Sequence, residues 1–226
     1  MDKSKFQPAR LIPVTGIKGA QDQERRATSA LLAVFRIVPD LAWSLLKEAK
    51  PQKGQIESFI EPEFKTGSKM IRPDGLLITT RGKNQWSALI EVKTGKNELD
   101  VQQLTSYLDL CRDHSIDCLI TISNQVLNAS GEHPTSGIDQ RKLKSTKLIH
   151  LSWLRVITDC LILSEHNGVD DLEQDEVLSE LIRFLQSDAS GASEFNDMGS
   201  SWTEVRDALK SDTITRPTEE LNEVVA

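Results

Sequence analysis

Cysteine is scarce, with only Cys111, Cys118 and Cys160 in 226 residues. Three scattered thiols do not make a disulfide framework. Cys111, His114 and Cys118 form a partial zinc set, but no second cysteine pair completes it and Cys111 continues a helical apolar stripe. All three are therefore expected to be buried core residues. Long hydrophobic runs are missing too: nothing approaches the ~20 apolar residues that span a bilayer. The opening MDKSKFQPARLIPVTG lacks the apolar core of a signal peptide, so the expectation is a cytoplasmic protein without a membrane segment. There is no G-x-S-x-G elbow, no H-E-x-x-H pair, no GxxxxGK loop and no internal repeat. These absences exclude the common nucleophile-elbow hydrolases, HExxH metalloproteases and P-loop nucleotide enzymes.

Basic residues are thin in the last third. From Asp159 onward, four stand against seventeen acids, a net −13, so the rest of a chain whose total is −7 carries +6. Between Lys50 and Lys96 nine bases face five acids. A basic centre with an acidic end is compatible with a phosphate backbone as ligand. A plain solvated surface would give the same pattern.

The length is enough for one domain with appendages. Residues 1–21 are broken by Pro8, Pro13, Gly16 and Gly19 and read as irregular. A core follows over 22–164 and an acidic helical extension and tail over 165–226. In the core, a helix is expected from an Asp22 N-cap to Val38, with Pro39 stopping or kinking it. Glu24, Ala27, Leu31, Val34, Phe35 and Val38 share one arc of that helix. A second short helix over 40–49 could be a continuation past the proline. Strands are expected over 55–64, 72–79, 86–93, 117–124 and 148–153, with a polar connection at 65–70 and a turn at 81–84. Helices are expected from about Asp100, over 154–163 and over 170–188, with a last short one near 202–209. The polar stretch 125–147 carries Arg141, Lys142, Lys144 and Lys147 and reads either as a nucleic-acid arm or as a surface connection. The strand, helix, strand order between Trp86 and Asn124 favours a crossover in a mixed sheet.

The chemistry is concentrated in residues 71–107, IRPDGLLITTRGKNQWSALIEVKTGKNELDVQQLTSY. Strand alternation sends Glu91 and Lys93 to one face, and places Asp74 on the preceding arm of a hairpin. Two carboxylates beside a lysine suit a divalent cation that must hold a phosphate and activate a water. On the next helix Gln103 and Tyr107 are four apart and so adjacent. Glu24 has two readings: a first-turn acid complementing the helix dipole, or an acid facing inward towards a metal or lysine. The helix alone favours the first reading, and the downstream acids turn the balance to the second.

Taken in order, these features resemble the PD-(D/E)XK nuclease superfamily, which includes restriction endonucleases, lambda exonuclease and RecB-like exonucleases. The likeness rests on Pro73 and Asp74, on Glu91 and Lys93 after sixteen intervening residues, and on Gln103 with Tyr107 as QxxxY. It covers Asp22 to about Trp153. The resemblance implies an α/β, restriction-endonuclease-like core with a mixed sheet flanked by helices and an added helical C-terminal segment. It also implies metal-dependent phosphodiester hydrolysis of nucleic acid, with DNA favoured. Glu24, Asp74, Glu91 and the Val92 carbonyl would hold Mg2+ or Mn2+, and Lys93 would position and polarise the attacking water. Gln103, Tyr107 and Arg72 would contact substrate or support the site. Some RecB-like relatives hold an iron–sulfur cluster on four cysteines; three cysteines here argue against one. Two alternatives stand beside the enzyme. One is a catalytically inactive module that binds nucleic acid; the other is a protein-binding domain in a stress-response or defence system. A protein partner or second copy would attach through the C-terminal segment.

Overall fold

The computed structural model describes residues 18–66, 69–125, 133–167 and 171–192, together with Ile12, Gly16 and Val169. The expected helix near 202–209, most of the N-terminal segment and part of the polar stretch after Gln125 lie outside these residues. The architecture is α/β: a five-stranded mixed sheet with helices packed on it.

The first helix, α1 (Ala20–Ile37), starts two residues before the expected cap, with Gly19 at φ 84 as its N-cap. Asp22 is instead a first-turn acid. It accepts the Lys18 N–H at 3.1 Å and pairs with Arg26 one turn on. The apolar arc turns inward as expected, burying Ala27, Leu31, Val34 and Phe35. Pro39 opens a separate helix, α2 (Pro39–Leu45), set at 112° to α1. Proline at the first position of a helix costs nothing, because its missing N–H would have no partner there.

The expected strand over 55–64 is two elements. β1 (Gln55–Ile60) ends at Glu61, whose φ of 48 turns the chain off the sheet. Then β2 (Phe64–Thr66) pairs with β3 (Lys69–Ile71) as a small antiparallel ribbon, where the polarity of the sequence suggests only a connection. β4 (Gly75–Arg81) and β5 (Asn84–Val92) form the expected hairpin around Gly82 and Lys83. β4 begins three residues later than its composition suggests, so Asp74 stands on the approach to the strand.

From β5 the chain crosses through α3 (Val101–His114) to β6 (Cys118–Ser123), parallel to β5. It then reaches β7 (Lys147–Ser152), parallel to β6. The sheet order is β1-β4-β5-β6-β7, so β5 and β6 lie inside it. Every residue of β6 is buried, which is why its apolar run is continuous rather than alternating. On one face Ala88, Ile90, Val92, Ile120 and Ile122 meet α1, α2, α4 (Trp153–Ile162) and α5 (Leu172–Leu185). On the other, Leu89 and Leu119 meet Leu104, Tyr107, Leu108 and Cys111 of α3. Leu99 and Leu110 join the same cluster. Cys111, Cys118 and Cys160 are free and buried.

The last α-helix among the described residues, α5, is built into the core. Leu178, Leu181, Phe184 and Leu185 of α5 join the same cluster as α1 and β5. At about 25 cal/mol per Å2 each such side chain contributes roughly 2 kcal/mol of burial. Among the described residues no single helix is long and apolar enough to cross a membrane.

Candidate active site

Asp74 is held at two points. Its carbonyl accepts the Glu61 N–H at 2.9 Å, and its Oδ2 accepts the Val92 N–H at 2.7 Å. The second bond sets the carboxylate against the end of β5, beside Glu91. Glu91 is buried because β5 is an inner strand, and its side chain is 1% exposed. Lys93 donates from Nζ to Glu91 Oε1 at 2.7 Å. The Lys93 backbone is fixed on both sides: its N–H donates to the Ile122 carbonyl at 2.8 Å, and its carbonyl accepts Trp153 Nε1 at 2.8 Å.

Glu24 reaches the same group from α1. Its Oε2 lies 3.8 Å from Lys93 Nζ, and its Oε1 accepts Asn97 Nδ2 at 2.7 Å. It takes the inward-facing option of the two open in the sequence. Gln103 and Tyr107 belong to the cluster too. The Asp100 carboxylate caps α3 by accepting the Gln103 N–H at 2.7 Å, and Gln103 Nε2 donates to the Tyr107 hydroxyl oxygen at 3.0 Å. The Tyr107 ring lies close enough to Glu91 to feel its charge. Arg72 is apart from them, half-exposed and 3.7 Å from Glu61.

Three carboxylates surrounding one ammonium are electrostatically unbalanced. Burial, then the charge of Asp74, pushes the Glu91 carboxyl up to about 7 against the pull of Lys93. Burial also raises Asp74, opposed by the Val92 hydrogen bond and the charge of Lys93. For Lys93, burial alone would favour the neutral amine. The charge and hydrogen bond of Glu91, with Glu24 and Asp74 behind it, outweigh that and raise its pKa. Burial followed by the Glu91 charge raises Tyr107, so it stays a phenol.

Among the described residues no group of three His, Cys, Asp or Glu side chains stands as a ready metal cage. As placed, the Lys93 ammonium is the cation that Glu24 and Glu91 share. The residue set nevertheless fits a hard divalent ion. Its donors are carboxylate oxygens, and Glu91 Oε2 is buried with no hydrogen-bond partner. An orphaned buried carboxylate oxygen is costly unless something cationic meets it.

Several neighbours carry no signal in the sequence. Asn97 and Trp153 sit six and sixty-two residues past Glu91, and only the fold brings them to Glu24 and Lys93. The turn at Asp188–Ser190 is another. The Gly191 carbonyl accepts the Gly95 N–H at 2.8 Å and Asn124 Nδ2 at 2.9 Å, so the C-terminal segment braces the loop that follows Lys93.

Beside Glu91 in the sheet lies Thr121, its register partner on β6. Thr121 Oγ1 is 2.9 Å from both His133 Nε2 and His150 Nδ1. The tautomers follow from the far ends. His133 Nδ1 accepts the Thr135 N–H at 3.1 Å, so its proton is on Nε2. His150 Nε2 faces the Gln125 carbonyl at 2.7 Å and must donate, leaving Nδ1 as acceptor. The chain is thus His133 to Thr121 to His150 to Gln125, with both rings neutral. Burial lowers both histidines, His150 to about 4.

No protein-family model, no curated protein and no solved structure matches this chain.

Proposed function

We propose that the chain is a metal-dependent nuclease with a PD-(D/E)XK site on a restriction-endonuclease-like core, hydrolysing phosphodiester bonds in nucleic acid. DNA is the first substrate to test. The observation that carries this reading is the meeting of Glu24, Asp74, Glu91 and Lys93 from three separate elements, with one buried Glu91 oxygen left unpaired. The order of elements supports it as well. A helix bearing a glutamate, an antiparallel three-strand unit, a crossover helix and a parallel strand follow one another as the resemblance requires.

Glu24, Asp74, Glu91 and the Val92 carbonyl would hold Mg2+ or Mn2+. When bound, such an ion withdraws charge from a phosphate and lowers the pKa of a water at neutral pH. The protein groups do the rest. Lys93, kept protonated by three carboxylates, is a donor and not a base. It orients the attacking oxygen through the hydrogen atoms that Glu91 does not take, and its charge opposes the one that builds up on the phosphate. Asp74 is fixed by the Val92 N–H and spends little entropy on orientation. Tyr107 remains a hydroxyl because burial and the Glu91 charge oppose its ionisation, and Gln103 holds its oxygen in place.

The test incubates labelled single- and double-stranded DNA and RNA with Mg2+ or Mn2+, beside the variants Glu91→Ala and Lys93→Ala. Cleavage of at least one substrate is expected, dependent on the ion and lost in both variants. Equal cleavage by wild type and variants would remove the site assignment.

A further inference from the structure

At the rim of the candidate site a single carboxylate holds two exposed arginines. Glu61 Oε2 lies 2.9 Å from Arg25 Nη2, and Glu61 Oε1 lies 3.7 Å from Arg72 Nη2. Arg25 follows Glu24 on α1, Arg72 precedes Asp74 by two residues, and the Glu61 N–H donates to the Asp74 carbonyl. The triad is therefore tied by backbone to the acids themselves. Its arginine side chains are 58% and 53% exposed, against 25% for Glu61.

Two features are odd for a merely structural ion pair. Exposed pairs add little to stability, because water screens them and two long side chains must be ordered. Yet Glu61 adopts φ 48, the left-handed region, where glycine or asparagine is cheaper. Backbone strain in a non-glycine residue beside a cluster of buried acids points to a use for that side chain. The geometry also has a chemical reading: the carboxylate offers one oxygen to each guanidinium, as a phosphodiester offers its two non-bridging oxygens.

We infer that Arg25 and Arg72 form a binding site for a backbone phosphate next to the scissile one, and that Glu61 stands in for that phosphate in the free protein. Nucleic acid binds by displacing the Glu61 carboxylate from the two guanidinium groups, which then grip the strand as it enters the acids' cluster. The inference rests on the nuclease reading and extends it from the reacting phosphate to its neighbour.

The experiment measures binding of fluorescein-labelled single-stranded and duplex oligonucleotides by anisotropy, in EDTA so that nothing is cleaved, across a salt series. Arg25→Ala and Arg72→Ala should each weaken binding about tenfold and lower the salt slope by roughly one unit, the effect of losing one phosphate contact. Arg25→Lys should recover only part of the loss, since an ammonium cannot present the fork. Glu61→Gln should tighten binding about fivefold, because the competing anion is gone. Glu57→Gln, the same charge change on β1 without an arginine partner among the described residues, should move it less than about twofold. Binding by both alanine variants at wild-type strength overturns the inference and leaves the nuclease reading intact. Equal effects of Glu57→Gln and Glu61→Gln also overturn it, since net charge alone would then explain the gain. Failure of the wild-type protein to bind any of the oligonucleotides in EDTA overturns the inference, while the nuclease reading stands or falls on the cleavage test with Mg2+ or Mn2+.

Discussion

If the acids hold a divalent cation, its affinity must depend on pH in a way that Glu91 dictates. A carboxyl at about 7 is roughly 9% ionised near pH 6 and roughly 91% near pH 8, and only the ionised form binds. The apparent affinity should therefore rise about tenfold between those two conditions, with Asp74 adding in the same direction because burial raises it too. Binding should also expel protons, about 0.9 per site near pH 6 and about 0.1 near pH 8 from Glu91 alone. Calorimetric titration with Mn2+ in two buffers of different ionisation enthalpy reads both quantities at once. Glu91→Gln should lose most of the affinity and the pH dependence together. Equal affinity at the two pH values without proton release, or unimpaired binding by Glu91→Gln, would refute the reasoning.

The same shift fixes the sign of the stability effect. Glu91 titrates higher in the folded protein than its ordinary 4.5. Its contribution is favourable below about pH 4.5 and is lost as pH rises through about 7. Near neutrality the metal-free fold thus carries a penalty of up to roughly 3 kcal/mol at this one carboxyl. Cation binding should offset it and raise the melting temperature more near pH 8 than near pH 6.

Two more outcomes follow from the surroundings of the site. Gly191→Ala should lower stability by about 1 to 3 kcal/mol, because Gly191 has φ 64 and an added Cβ would stand 2.9 Å from Thr94 Cβ; an unchanged melting temperature would deny that the C-terminal turn is seated on the loop after Lys93. His150, neutral and lowered to about 4, contributes stability that is present above its ordinary 6.5 and lost as pH falls through about 4, roughly 3 kcal/mol in all. His150→Gln should flatten the fall of melting temperature over that window, and a curve parallel to wild type would discard the buried hydrogen-bonded chain.

What was legible in the sequence was whatever alternates or repeats locally. The burial of Ala27, Leu31 and Phe35, the continuous run of β6 and the hairpin around Gly82 all follow from period and turn chemistry. Ends were less legible. Asp22 looked like a cap because it precedes an apolar arc, yet the chain can start a helix at Gly19 and use the acid one turn in. The ribbon of β2 and β3 was hidden because each of its strands is three residues long, too short to show a period. Asn97, Trp153, Gly191 and the two histidines were illegible for a different reason: their roles are set by chain segments dozens of residues away.

The spacing between Asp74 and Glu91 is the one long-range relation that local rules could deliver, and the register explains why. In the hairpin Arg81 pairs with Asn84 and Gly75 pairs with Ile90, so each step back along β4 matches a step forward along β5. One more step sets Asp74 opposite Glu91, which is where the Oδ2 bond to the Val92 N–H finds it. Sixteen intervening residues and a turn centred between Gly82 and Lys83 are thus one statement made twice. Because side chains alternate, inserting one residue in that turn would move Asp74 off this match and send the inward set of one arm outward. The parallel β6 then brings its own end to the same edge, with the Lys93 N–H on the Ile122 carbonyl. An antiparallel neighbour on one side of β5 and a parallel one on the other place the start of β4 and the ends of β5 and β6 together. The acids therefore gather at this end of the sheet as a consequence of topology, and Glu24 needs only the first turns of α1 to reach them.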